Sequence, residues 1–142
     1  MAGKFLEQLR RNSVALISLV VAVSSLSYNT WRNEATEYNR NLRFASFEIL
    51  LKLGELQQVI FHVHYDKDFD KGNPRIGWAY ALTINDLAQV LPNAVQDSAA
   101  ELLQVWSENW EDLPASKDNL DPIMRALDAA RDQTLILLHS LQ

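Results

Sequence analysis

One stretch limits what this chain can become: the eighteen residues VALISLVVAVSSLSYNTW, from Val14 to Trp31. Val14 to Val23 hold a single polar side chain, Ser18. A helix rises about 1.5 Å per residue, so the run reaches roughly 27 Å against a hydrocarbon core about 30 Å thick. Val14, Leu16, Ile17, Leu19, Val20, Val21, Val23 and Leu26 supply the oily surface. Tyr28 and Trp31 close it with the aromatic residues that favour the headgroup level. Ser24, Ser25, Ser27, Asn29 and Thr30 weaken the second half. A helical serine is tolerated there, because its hydroxyl can bond a carbonyl one turn back.

Basic residues tend to stay in the cytoplasm. Lys4, Arg10 and Arg11 precede the run, whereas Arg32, Arg40 and Arg43 beyond it are diluted by Glu34 and Glu37. The expectation is a single pass with the N-terminus cytoplasmic and the rest of the chain outside. A cleaved signal peptide is the rival reading, since Ala22-Val23-Ser24 and Ser25-Leu26-Ser27 place small residues where a peptidase reads. A buried helix of a soluble protein is the third. Neither Pro nor Gly occurs between Lys4 and Gly54, which favours an uncleaved helix running from membrane into domain.

Residues 1–13 read as a short charged lead, with Phe5, Leu6 and Leu9 forming an amphipathic turn at the inner surface. Residues 14–31 are the transmembrane helix. Residues 32–41 form a polar helical neck with a thin stripe of Ala35, Tyr38 and Leu42. Residues 42–142 are long enough for one domain with its own core. Residues 1–31 hold three of the thirteen basic and one of the eighteen acidic groups, so the remainder is acidic by seven charges. An acidic domain is poorly matched to nucleic acid, whose phosphates need a basic patch. Cysteine is absent, which excludes disulfide, iron–sulfur and thiolate chemistry.

The domain reads as all helix. Leu42, Ala45, Ile49, Leu53, Leu56, Ile60 and Val63 recur at spacings of three and four, with Phe44, Phe47 and Leu51 widening the face. An apolar face that wide predicts two neighbouring helices. Gly54 inside this pattern predicts close approach of another helix. The loop YDKDFDKGNPR follows, broken by Gly72, Asn73 and Pro74. A second helix spans 76–91, with Ile76, Tyr80, Ile84, Leu87 and Leu91 on one side. Pro92 ends it or opens the next. Ser98-Ala99-Ala100-Glu101 matches a capping box and predicts a kink or a fresh start near Asp97. Ala99, Leu102, Leu103, Trp106, Trp110 and Leu113 continue at helical spacing. Residues 114–121 read as a loop, and Asp121-Pro122 as the cap and first residue of a last helix carrying Ile123, Leu127, Ala130, Thr134, Leu138 and Leu141. The predicted architecture is a transmembrane helix continuing into an antiparallel four-helix bundle, up-down-up-down.

Few residues suggest chemistry. His62, His64, Asp66, Asp68 and Asp70 alternate, so in an extended chain all five would face one way and suit Zn²⁺, Mn²⁺ or Fe²⁺. On a helix, His62 and His64 would not face each other. A calcium loop counted from Asp66 needs Gly sixth and Glu twelfth, but Lys71 and Gly77 stand there. Trp78, Trp106 and Trp110 could line a ligand pocket between helices, or simply fill the core. Glu108, Glu111 and Asp112 make an acidic turn beside Trp110. His139 has no nucleophile or carboxylate beside it in sequence. There is no GxSxG elbow and no phosphate-binding glycine loop. No enzyme and no cofactor are expected.

The segment SYNTWRNEATEYNRNLRFASFEILLKLGELQ resembles the start of a group of uncharacterised small bacterial single-pass inner-membrane proteins. The likeness covers residues 16–57 and lies in Tyr28, Asn29, Thr30, Trp31, Arg32, Asn33 and Glu34, then Asn39, Arg40, Asn41, Phe47 and Glu48. The resemblance implies a bacterial inner-membrane protein and carries over no activity, cofactor or site; with the charge bias of the flanks, the expected place of the domain is the periplasm. The function expected is a membrane-anchored, non-enzymatic interaction or accessory module, partnered by the bilayer and by an envelope protein or a second copy. Ala15, Ser18, Ala22 and Ser25 would let a second helix pack closely in the membrane. The alternative is a sensor-like domain that binds a small ligand or metal and signals through a partner.

Overall fold

Four helices and one π-turn make up the described structure, a computed structural model covering residues 8, 11–111, 113 and 117–141. The lead residues Phe5, Leu6 and Leu9 lie outside the described residues. No strand occurs among those described. Without a helix breaker before Gly54, the first helix, α1, runs Ser13–Phe61 over 49 residues. The chain divides into two units, Met1–Asn39 and Arg40–Gln142. In the first unit, every described residue is exposed except the half-exposed Ser13. One eighteen-residue window there is apolar enough to cross a membrane, and none of it is buried.

The second unit is built on the far half of α1. Leu42, Ala45, Ile49, Leu53, Leu56, Ile60 and Val63 are all buried. The α-helical spacing ends at Phe61, and one π-turn, His62–Asp66, follows. Lys67 terminates it in the left-handed region at φ 54°, where its N–H and that of Asp68 both reach the His62 carbonyl. This satisfies the orphan carbonyls that any helix end leaves. Asn73 then caps α2 (Pro74–Ala88) by accepting from the Arg75 N–H at 3.0 Å, with Pro74 at the position where a missing N–H costs nothing. α3 spans Asn93–Asn109 and α4 Lys117–Ser140. α2 packs on α3, and α3 on α4. Arg131 of α4 donates to the Gln57 side chain of α1 at 2.7 Å, and Arg43 donates to the Leu141 carbonyl. Along these two helices the partners therefore run in opposite chain order.

Several expectations change. Phe44, Phe47 and Leu51 do not widen the core; they are 66%, 61% and 55% exposed. The core is satisfied by the stripe half a turn away. Gly54 does not admit a neighbouring helix of the same chain, since a Cβ there would meet nothing within 4 Å. The close approach is at Gly77, where a Cβ would strike the Trp106 ring. The inward face of α2 is accordingly Gly77, Ala81, Ile84 and Ala88, while Ile76 is exposed. α3 has no fresh start near Asp97. Ser98 is buried inside it and donates to the Val95 carbonyl at 3.0 Å, so its hydroxyl caps nothing. Pro122 does not open α4 but sits inside it, because the helix already begins at Lys117. The expected loop is thus shorter: Lys117 to Asp121 are helical, and residues 114–116 lie outside the described residues.

Candidate functional site

The anchor candidates form a continuous exposed apolar surface along the start of α1. Val14, Ile17, Val20 and Leu26 are 75%, 63%, 63% and 69% exposed, and Leu16, Leu19, Val21, Val23, Tyr28 and Trp31 are exposed with them. Tyr28 and Trp31 pack ring to ring, 6.2 Å apart at a tilt of 44°. Fully burying a large apolar side chain yields about 1.5–3 kcal/mol, so ten such chains, each roughly 60% exposed, forgo on the order of 10–20 kcal/mol in water. Soluble monomers rarely leave a contiguous apolar patch of that size uncovered.

The aromatic candidates divide. Trp106 is fully buried on α3, with its indole against Gly77. Trp78 and Trp110 meet edge to face, 6.2 Å between centroids and 74° between planes, and are half-buried against the core. The Nε1–H of Trp106 has no hydrogen-bond partner among the described residues, nor does the buried Oγ of Ser46. An unmade buried hydrogen bond costs about 1–3 kcal/mol.

The five metal candidates are also separated. His62 to Asp66 form the π-turn instead of an extended strand, so alternate residues do not share a face. His62 Nδ1 pairs with Asp66 Oδ2 at 2.8 Å on the surface. His64 turns inward, with Nδ1 placed 3.4 Å from the Leu113 carbonyl, to which it donates when protonated there. Asp68 folds the following turn: its Oδ1 accepts from the backbone N–H of Asp70 at 3.2 Å and of Lys71 at 3.0 Å. The Lys71 N–H holds the Asp68 carboxyl below its ordinary 3.8, with the Lys71 ammonium 3.6 Å away adding to this. Asp70 is exposed. Among the described residues no three His, Cys, Asp or Glu side chains converge as metal ligands.

Shallow clefts mark the described surface of the domain. One cleft is lined by Gln58, Phe61, His62, Tyr65 and Asp66. A groove between α1 and α4 is lined by Arg43, Phe47, Leu50, Leu135, Leu138 and the exposed His139. On the other side of α1, Lys52 pairs with Glu55 at 2.7 Å and lies 5.5 Å over the Tyr80 ring. The hydrogen bond that the Lys52 ammonium donates to Glu55 raises it above its ordinary 10.5. The residues that sequence periodicity misplaced are Phe44, Phe47 and Leu51, which join Phe61 and Tyr65 in an uncovered row along α1. Their spacing was the available signal. No family model, no curated protein and no solved structure matches the chain.

Proposed function

We propose that this chain is a membrane-anchored, non-enzymatic interaction module. Residues 14–31 cross a bacterial inner membrane with the N-terminus in the cytoplasm, residues 32–41 form a neck, and residues 42–142 form a periplasmic antiparallel four-helix bundle that docks a protein partner. The observation that carries the reading is the fully exposed apolar window at the start of α1. The exposed row of large apolar side chains on the domain supports a docking role. The sensor-like alternative would use the Trp78, Trp106 and Trp110 cluster or the His62–Asp70 segment; in the cleft beside that segment His62 and Asp66 pair with each other, leaving Gln58 and the Tyr65 hydroxyl as its other polar groups.

Carbonate extraction of membranes, with protease added to spheroplasts, tests the topology. The chain should stay with the membrane, and cleavage should occur only beyond Arg32. Recovery of the intact chain in the soluble fraction overturns the anchor, and protection of the domain overturns its placement outside. A thermal-shift screen with divalent metals and small polar metabolites tests the alternative, since a true ligand raises the melting point by linkage.

A further inference from the structure

The far half of α1 carries two apolar stripes on opposite sides. One is the buried core stripe. The other is Phe44, Phe47, Leu51, Gly54 and Phe61, with Gln58 as the single polar member, and Tyr65 of the π-turn packs its ring on Phe61 at the end of the row. These positions repeat three and four apart, which is the a/d seam of a coiled coil. Heptad lettering that puts Phe44 at a and Phe47 at d places the core residues Leu42, Ile49 and Leu56 at f, directly opposite. A surface helix normally turns polar residues to water on that side. In the sequence Leu26, Val23, Leu19 and Leu16 fall in the same register, separated from Phe44 by polar residues at its a and d positions, Arg40, Glu37, Asn33 and Thr30.

We propose that α1 is the interface of a parallel, in-register homodimer, with this outer stripe as its seam. The proposal rests on the anchored-module reading above and supplies its partner: a second copy of this chain.

Four observations choose that occupant. First, an a/d stripe is self-complementary, since each layer of a parallel pair meets its own counterpart. Second, the flanking charges fit the parallel sense. Arg43 falls at g and Glu48 at e, five residues on, which is the spacing of an interhelical pair in parallel coils. Antiparallel packing would instead set Glu48 and Glu55, both at e, against each other. Arg43 gives one donor to the Leu141 carbonyl, and a guanidinium has five N–H donors. Third, Gly54 has no intramolecular reason to be glycine, but at a seam it lets two backbones approach. Fourth, the area comes close to what a specific pair buries. At roughly 200 Å² per large side chain, the exposed fractions of Phe44, Phe47, Leu51, Phe61 and Tyr65 leave about 570 Å² per copy. A symmetric pair would cover about 1,100 Å², near the lower bound of about 1,200 Å² for a specific interface. Confinement of both copies to one bilayer raises their effective concentration and offsets a modest interface.

Cysteine scanning tests this on the intact chain in its membrane, against a background that holds no native cysteine. Single cysteines at Phe44, Phe47, Leu51, Gly54 and Gln58 should form symmetric disulfides under mild oxidation. Cysteines at the exposed Glu101 and Asp128, on α3 and α4, should stay reduced. Phe47→Glu with Leu51→Glu should weaken dimerisation at least about tenfold while leaving the helical circular dichroism and melting point near those of the parent, since both side chains lie outside the core. Arg43→Glu should weaken the dimer, and adding Glu48→Arg should restore it. Crosslinking that is uniform, absent, or directed to a different protein overturns the homodimer. Carbonate extraction of the same samples keeps the two ideas apart: a monomer that stays in the membrane refutes the pairing alone, whereas a chain in the soluble fraction refutes the anchor.

Discussion

Alanine at Gly54 and at Gly77 should move stability in opposite directions. In a helix interior, alanine replaces glycine with a gain of about 1 kcal/mol. At Gly54 nothing opposes it, because the new methyl meets no atom within 4 Å. At Gly77 the methyl would lie 2.2 Å from Cζ2 and 2.4 Å from Cη2 of Trp106. Carbon atoms settle at about 3.5–4 Å, so the indole must retreat by more than about 1 Å. Trp106 is fully buried and its ring system is rigid, so the movement displaces the core around it. Overpacking costs about 1–3 kcal/mol and at times more, which leaves a net loss of about 2 kcal/mol at a position this tight. For a domain of about a hundred residues, 1 kcal/mol moves the melting point by about 4 °C. Gly54→Ala should therefore raise the melting point by about 4 °C in dilute detergent, where the chain is monomeric. Gly77→Ala should lower it by about 8 °C. Trp106→Phe removes the ring edge that carries Cζ2 and Cη2, so Gly77→Ala should cost at least about 1 kcal/mol less in that background. A melting point for Gly77→Ala at or above the parent, or strict additivity with Trp106→Phe, would refute the packing described for this pair.

Four further outcomes follow from named contacts. Gly72→Ala should destabilise the loop by about 3 kcal/mol or prevent folding, because its Cβ would sit 2.3 Å from the Val63 nitrogen and 2.8 Å from the Asp68 carbonyl oxygen, both backbone; hydrogen exchange through residues 62–72 reads this. Leu53→Ala should cost about 2–5 kcal/mol whereas Leu51→Ala in the monomer should be close to neutral, since the first side chain is fully buried and the second is 55% exposed; chemical denaturation separates them. The Asp68 carboxyl is held below 3.8 in the fold, so its contribution is complete above that unfolded value and disappears as pH falls through the lower folded value; Asp68→Asn should flatten the acid limb of the melting curve and leave its shape near neutral pH unchanged. Val20→Arg places a charge in the apolar run at a cost of about 2.5–3.5 kcal/mol and should shift the chain toward the carbonate-soluble fraction.

Periodicity made the inward stripe of α1 legible, because Leu42 to Val63 combine the right residue types with the right spacing. It could not say which side of the helix Phe44, Phe47 and Leu51 occupy, since two stripes half a turn apart overlap in one dimension. Gly54 and Gly77 look alike in sequence, and only the position of Trp106 distinguishes them. That pairing joins helices separated by a loop, so no local rule reports it. Ser98 and Asp121 failed as start signals for a related reason. Each matches a capping pattern, yet a cap forms only where the chain has left the helix, and here Pro92 and Lys117 had already set the starts. The alternation from His62 to Asp70 promised a shared face only in an extended chain. One π-turn carried the helix on and sent His64 inward while His62 stayed outside.

The long span between α1 and the residues that cover it has a cost in time. Gln57 meets Arg131, and Arg43 meets Leu141. Ribosomes add about 5–20 residues per second, so α1 waits roughly 4–15 s after synthesis before α4 follows. For that interval both of its oily sides are bare. A nascent chain with this order depends on prompt delivery to the membrane or on a holding chaperone, and slowed translation between Phe61 and Lys117 should increase its loss to proteolysis.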